Sequence, residues 1–129
     1  MKFFISQFYK TFIWTSVILI LCLLPKSSEP TEFWLFKLPH FDKIVHIGLY
    51  SILGFIMMFD TNKRIKYAFY ICIGYSIFLG ETIELIQPLV GRTNELTDLC
   101  ADVIGCLLGI LLNIYLLPKI IKNKNGHTI

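Results

Sequence analysis

The sequence predicts an all-α polytopic membrane protein with four transmembrane helices and both termini in the cytoplasm. Hydrophobic residues make up 55% of the 129 residues and charged residues only 16%, whereas soluble domains average about 25% charged residues. The mean hydropathy is +0.65. Four long apolar runs occupy residues 12–24, 44–59, 67–90 and 99–117. Too little polar sequence remains to cover a soluble core, so we treat residues 1–129 as a single membrane domain.

The first run reaches spanning length only when the segment from Phe3 joins it. A spanning helix needs about 20 largely apolar residues, and Lys10 can then extend its amine to the membrane surface. No small-residue cleavage site follows the run, which argues against a removed signal peptide. The second helix is expected from Phe41, the third from Tyr67 and the fourth from about Thr97.

The distribution of basic residues predicts the orientation, because lysine and arginine near span ends favour the cytoplasmic side. Eight of them fall on one side of a four-helix arrangement: Lys2, Lys10, Lys63, Arg64, Lys66, Lys119, Lys122 and Lys124. The four on the other side are mixed with carboxylates. Both termini are therefore predicted to be cytoplasmic, in a multi-pass protein of the bacterial cell membrane.

Several polar residues lie inside the apolar runs, at helical spacing and at one predicted depth. The second helix would carry Asp42, His46 and Tyr50 on one face, the third Glu81, Glu84 and Gln87, and the fourth Asp98 and Asp102. Burying one charge in a span costs roughly 2.5 to 3.5 kcal/mol on insertion scales. The set, with Arg92 beside it, therefore predicts a polar pocket that opens outward.

These residues also carry a family resemblance, over about residues 40–112. Asp42-Lys43-x-x-His46 with Tyr50, Glu84-x-x-Gln87, then Arg92, Asp98, Gly105 and Gly109 resemble the VanZ-like family of small bacterial membrane proteins. One departure is Ala101-Asp102, where an asparagine is expected before the glycine pair. An extra acid there would raise the affinity of the pocket for protons or cations, or shift the role of Asp98.

The resemblance implies a membrane protein of the cell envelope. The family takes its name from a protein associated with low-level resistance to the glycopeptide teicoplanin, so the resemblance implies a contribution to that resistance. It implies no particular reaction, because a shared fold does not fix an activity.

Three interpretations of the pocket stay open. In the first, Arg92, His46 and Lys43 bind an anionic, lipid-linked or glycopeptide-related ligand, because arginine grips phosphate or carboxylate with two hydrogen bonds. In the second, the pocket is catalytic, with a carboxylate beside a histidine as general base or a raised glutamate as acid. In the third, the charges only neutralise each other, and Asp42 and Asp98 cap helices.

We expect no cofactor. A catalytic metal on His46, Glu84 and Asp98 is the less favoured form of the second interpretation. A proton-coupled carrier is also less favoured. It would need acidic residues at the cytoplasmic helix ends, where a substrate would leave, and we expect none there to match those of the pocket. The expected partners are membrane lipids, and the basic C-terminal tail is interpreted as a topology anchor rather than a nucleic-acid site. Gly105 and Gly109 are expected to let the fourth helix approach a neighbour within the chain.

Overall fold

A computed structural model describes residues 2–24, 40–61, 66–93 and 95–125, with side chains described over 7–24, 40–61, 66–93 and 95–120. It contains α1 (Lys2–Leu23), α2 (Phe41–Thr61), α3 (Ala68–Ile86), a 3₁₀ turn (Gln87–Val90) and α4 (Leu96–Asn125). The predicted all-α class with four helices is confirmed. The basic residues Lys63 and Arg64, used for the orientation, lie outside the described residues.

The helices alternate in direction along the bundle. Successive contacts pair Ile47, Ser51 and Phe55 of α2 with Gly105, Gly109 and Asn113 of α4, in the same order, so these two helices are parallel. Between α3 and α4 the order is reversed, because Cys72 meets Cys106 while Gly80 meets Asp102. Along α1, Thr11 contacts Asp60 near the end of α2, and Trp14 contacts Leu49 earlier in α2, which makes α1 antiparallel to α2. The N-terminal ends of α2 and α4 therefore lie together with the C-terminal ends of α1 and α3.

Glycines bring α2 and α4 into backbone contact. A Cβ atom at Gly109 would overlap the carbonyl oxygen of Ser51, and one at Gly105 would overlap that of Ile47. On α2, Gly54 lies in the same way against the carbonyl of Cys106. Small residues allow such close approach where lipid provides no hydrophobic force between helices. This helix pair fixes the relative height of the polar residues on α2 and α4.

The membrane-spanning character is clear for three helices. Phe41–Thr61, Ala68–Val90 and Leu96–Ile120 are long and apolar enough to cross a bilayer, and Gln7–Leu23 is a shorter apolar helix. Large apolar side chains such as Phe78, Leu85 and Tyr115 are exposed on the bundle surface, where lipid would cover them. The chain is therefore a multi-pass membrane protein by length and composition.

Three details differ from the sequence-based expectation. Helix α4 continues past the apolar run, through Pro118 and into the basic tail, to Asn125. The last turn of the third span is 3₁₀ rather than α, as expected where Pro88 removes a backbone donor. Asp42 and Asp98 lie inside the first turns of α2 and α4 rather than at the preceding cap positions, so each can favour its helix through the dipole but is not an N-cap.

Candidate functional site

Most of the sequence-predicted polar residues meet at one end of the bundle. We call Asp42, Lys43, His46, Glu84, Arg92, Glu95, Asp98 and Asp102 the polar cluster. It lies where α1 and α3 end and where α2 and α4 begin. Two layers can be distinguished within it, a buried floor and a half-exposed rim.

His46 and Asp102 form the floor of the polar cluster. The Nδ1 atom of His46 lies 2.8 Å from Oδ1 of Asp102, and both side chains are almost fully buried, at 2% and 1% exposure. The residues come from α2 and α4, which the glycine contacts hold close together. The Asp102 carboxylate also lies against Gly80 of α3, where any larger side chain would collide with it. Three helices therefore fix the position of this pair.

Two basic residues bridge carboxylates at the rim. Arg92 Nη2 donates to both oxygens of Asp42, at 3.0 and 3.2 Å. Lys43 Nζ lies 2.8 Å from Glu95 and 3.1 Å from Asp98. The hydrogen bond from Lys43, with its positive charge, lowers the pKa of the Glu95 carboxyl from its ordinary value. Arg92 and Lys43 stay partly accessible, at 19% and 25% exposure.

A tight turn after α3 places Arg92 at the rim. Gly91 has a φ of +77°, in the left-handed region, and the Arg92 N–H donates to the carbonyl of Gln87. Glycine suits this position because a Cβ atom is strained at positive φ. The connection to α4 is tied down by Glu84, whose Oε2 accepts a hydrogen bond of 2.8 Å from the Glu95 N–H. Glu84 therefore supports the rim from α3.

Tyr50 and Gln87 are buried next to the cluster, toward α1. The Tyr50 ring stacks on the His46 ring, with centroids 6.5 Å apart. The Gln87 amide donates to the Cys22 carbonyl on α1, at 3.4 Å. The Tyr50 hydroxyl interacts with the Asp102 carboxylate, whereas the Gln87 Oε1 atom makes no hydrogen bond with described residues. Buried polar atoms of this kind are usually satisfied by water or a ligand.

Glu81 is the sequence-predicted pocket residue that the structure does not bring into the cluster. It is exposed on α3, whereas Glu84 and Gln87 on the same helix are buried. Residues three apart on a helix point about 60° away from each other. Glu81 and Gln87, six apart, therefore point about 120° away from each other. Glu81 is therefore a matched control for substitutions of the clustered carboxylates.

The structure also adds residues that the sequence did not single out. Glu95 reads as a solvated loop residue in the sequence, but it joins Lys43 to Glu84. At the opposite end of the bundle, Asp60 is buried and accepts hydrogen bonds from the hydroxyl and the N–H of Thr11, at 2.8 and 3.2 Å. The expectation that this end has no acid matched to the pocket therefore needs correction. Because Thr11 is on α1 and Asp60 is on α2, these two hydrogen bonds join the two helices, and they satisfy the buried Asp60 carboxylate.

The geometry also changes the candidate metal ligands. One oxygen each of Asp42 and Asp98 and one ring nitrogen of His46 lie within 4.8 Å of one another. Glu84 is not in this group and instead holds the backbone of Glu95. The three-residue set thus differs from the predicted one by a single ligand.

Comparison with protein families matches residues 3–117 to VanZ/LLP1. The chain belongs to the VanZ/LLP1 family. The match extends beyond the predicted stretch of residues 40–112 and includes α1. The chain is 33% identical over 95 residues to an uncharacterised protein of Schizosaccharomyces pombe. The aligned region covers 67% of this chain and 57% of the relative. The chain thus spans less than two thirds of that relative's length. No solved structure matches the chain.

Proposed function

We propose that this VanZ/LLP1 protein binds the polar headgroup of a membrane lipid or of a lipid-linked envelope precursor in the polar cluster. The observation that carries the proposal is the placement of Arg92 and Lys43, partly exposed, beside the buried His46–Asp102 pair. Burying so many charged groups near the end of a membrane bundle is costly unless they are used or fully paired. The rim leaves one side of the pairs accessible to a ligand.

The surface beside the cluster suits an amphiphile. Leu85, Leu89 and Leu96 lie at the same end of the bundle and are strongly exposed, at 70%, 83% and 72%. Acyl chains can lie along such apolar side chains while a headgroup exchanges partners with the rim. Because Asp42 is more exposed than Arg92, its pairing with the arginine is the one that a phosphate or carboxylate replaces most easily.

The test is the identification of copurified lipid. We expect protein extracted in mild detergent to retain a defined lipid, identified by mass spectrometry, and Arg92→Gln to lose most of it. Arg92→Lys should retain an intermediate amount, since lysine keeps the charge but not the forked geometry. The exposed Glu81→Gln variant is the matched control. Equal lipid retention by all four proteins would contradict the proposal.

A location in the bacterial cell membrane and a contribution to teicoplanin resistance extend this proposal. The support is the family resemblance, and the Schizosaccharomyces pombe relative leaves the source of the chain open. In a susceptible bacterial host, we expect expression of the protein to reduce teicoplanin susceptibility. Glu84→Gln and Arg92→Lys, at matched expression, should restore it. If neither variant changed susceptibility, Glu84 and Arg92 would have no part in the resistance, and the lipid-binding proposal would still stand on its own test.

A reaction on the bound lipid is the second candidate function. It is favoured by the His46–Asp102 pair, because a carboxylate that orients an imidazole is the usual arrangement of a general base. The Tyr50 ring stacks on the His46 ring and carries a buried hydroxyl group. Conversion of a retained lipid by the wild-type chain but not by His46→Gln would favour catalysis. Retention of an unaltered lipid would favour binding alone.

A further inference from the structure

The polar cluster contains more carboxyl groups than basic side chains. Among the described residues it contains five carboxylates and two permanently charged bases; the carboxylates belong to Asp42, Glu84, Glu95, Asp98 and Asp102. Each base is already paired with at least one carboxylate. Coulomb attraction at a given distance is stronger where water is partly excluded. A cation added to this cluster would therefore be attracted.

Three members of the cluster have the chemistry and the spacing of metal ligands. Asp42 and His46 stand one helical turn apart on α2, and Asp98 faces them from the first turn of α4. One ligand atom from each lies within 4.8 Å of the others. In an octahedral site with ligands about 2.1 Å from the ion, opposite ligand atoms are about 4.2 Å apart and neighbouring ones about 3 Å apart, so the three side chains would move closer together to bind one ion.

The neighbours of these three residues hold them in orientations suited to a metal. The Nδ1 atom of His46 contacts Asp102, which leaves Nε2 for an ion. This carboxylate–histidine arrangement is the common outer shell of metal sites. Lys43 and Arg92 fix Asp98 and Asp42 in turn. A carboxylate has about four lone-pair directions, so each can keep its base and still coordinate an ion.

We propose that Asp42, His46 and Asp98 bind one divalent ion of the Mn²⁺ or Zn²⁺ type. Two carboxylates and one imidazole suit such ions better than Ca²⁺, which takes oxygen ligands alone. Three protein ligands leave further coordination positions open, and the 54% exposure of Asp42 places them toward the accessible rim. This deepens the proposed function, on which it rests, since a bound cation would add to the attraction of Arg92 and Lys43 for a phosphate headgroup.

Metal binding can be tested without any lipid. In delipidated protein in detergent, we expect about one Mn²⁺ per chain by electron paramagnetic resonance and equilibrium dialysis, with competition by Zn²⁺. Asp42→Asn and Asp98→Asn should each abolish binding at stoichiometric metal. Asp102→Asn, which changes only the partner of His46, should weaken it about 10- to 100-fold. Glu81→Gln removes an acid outside the cluster and should bind as the wild type does.

The results separate this inference from the proposed function. If the wild type binds no Mn²⁺ or Zn²⁺, or if Asp42→Asn and Asp98→Asn bind as the wild type does, the metal site is refuted, whatever lipid is retained. Metal binding without lipid retention would support the site and contradict the lipid proposal. Should Asp98→Asn fail to fold, as judged by circular dichroism, Asp42→Asn provides the test, because the Asp42 side chain is mostly exposed.

Discussion

Two polar side-chain contacts of the polar cluster have the same length but different surroundings. His46–Asp102 and Lys43–Glu95 both measure 2.8 Å, yet the first is almost fully buried and the second is 25% and 48% exposed. Water screens the exposed pair, whereas the buried pair depends on its own geometry to compensate for lost hydration. The buried pair is therefore held in place by the packed helices around it, and the exposed pair is the one whose strength changes with pH and salt.

The exposed pair gives a prediction about pH. Because Lys43 lowers the pKa of Glu95 in the folded protein, the ionised carboxylate stabilises the fold above the ordinary pKa of glutamate. This contribution is lost as the pH falls through the lowered pKa. We expect the wild type to be more stable than Glu95→Gln at neutral pH, and this difference to disappear on acidification. The measurement is the unfolding midpoint in mixed micelles as a function of pH.

The control for this prediction is Glu81→Gln, which removes an exposed carboxylate outside the polar cluster. Its stability difference from the wild type should stay small at every pH. A Glu95→Gln difference that persists unchanged at the lowest pH at which the fold survives would show that the ion pair with Lys43 is not its source.

At the scale of helices, the contact between α2 and α4 decides where the site forms. Interhelical hydrogen bonds accompany the glycine contacts, from Ser51 to the Gly105 carbonyl and from Asn113 to the Phe55 carbonyl, at 3.0 and 3.1 Å. Each such bond contributes on average about 0.6 kcal/mol in membrane proteins. Close backbone packing is thus the larger determinant, and it sets His46 opposite Asp102.

Replacing Gly109 by alanine tests this packing. The added Cβ atom would overlap the backbone of Ser51 and Phe55, which cannot rotate away as a side chain can. We expect Gly109→Ala to destabilise the bundle by about 1 to 3 kcal/mol or more, the usual cost of overpacking. The free energy of unfolding in mixed micelles, followed by circular dichroism, measures the change.

Gly48→Ala is the matched control on α2. A Cβ atom at Gly48 meets nothing within 4 Å, so alanine should be neutral or stabilising by up to about 1 kcal/mol through its higher helix propensity. If Gly109→Ala proved as stable as Gly48→Ala, the α2–α4 contact would not have the close geometry described above.

Across the whole molecule, the sequence was most informative where its periodicity was strong. Hydrophobic runs gave the four helices, and the shared spacing of Asp42, His46, Glu84 and Asp102 placed them at one level because depth follows directly from helical rise. The pairing of particular charges could not be predicted in this way. It depends on the α2–α4 register and on the turn at Gly91, neither of which the hydrophobic pattern determines.

The part played by α1 was the least predictable feature. Its run carries few charges, so nothing in the pattern indicated that Thr11 would meet Asp60 or that the Cys22 carbonyl would accept the Gln87 amide. Lys10, expected to reach the surface, has its amine 4.4 Å from the centre of the Phe59 ring, a cation–π distance. Such contacts depend on how whole helices dock, which no local sequence signal specifies.

The alternating helix directions lead to a prediction about the membrane topology. If all four helices span, the polar cluster lies on one side and both termini on the other, and the basic residues place the termini in the cytoplasm. Single cysteines at the exposed positions Thr93, Lys66 and Lys119, in a Cys100→Ser background, test this. We expect a membrane-impermeant maleimide to label Thr93→Cys in intact cells, and Lys66→Cys and Lys119→Cys only after permeabilisation. The background chain alone measures labelling of the buried native cysteines.

Labelling of Lys66→Cys and Lys119→Cys from opposite sides would contradict the alternating arrangement. Labelling of both from outside would be consistent with the fold but would show that its orientation in the membrane is the reverse of the predicted one.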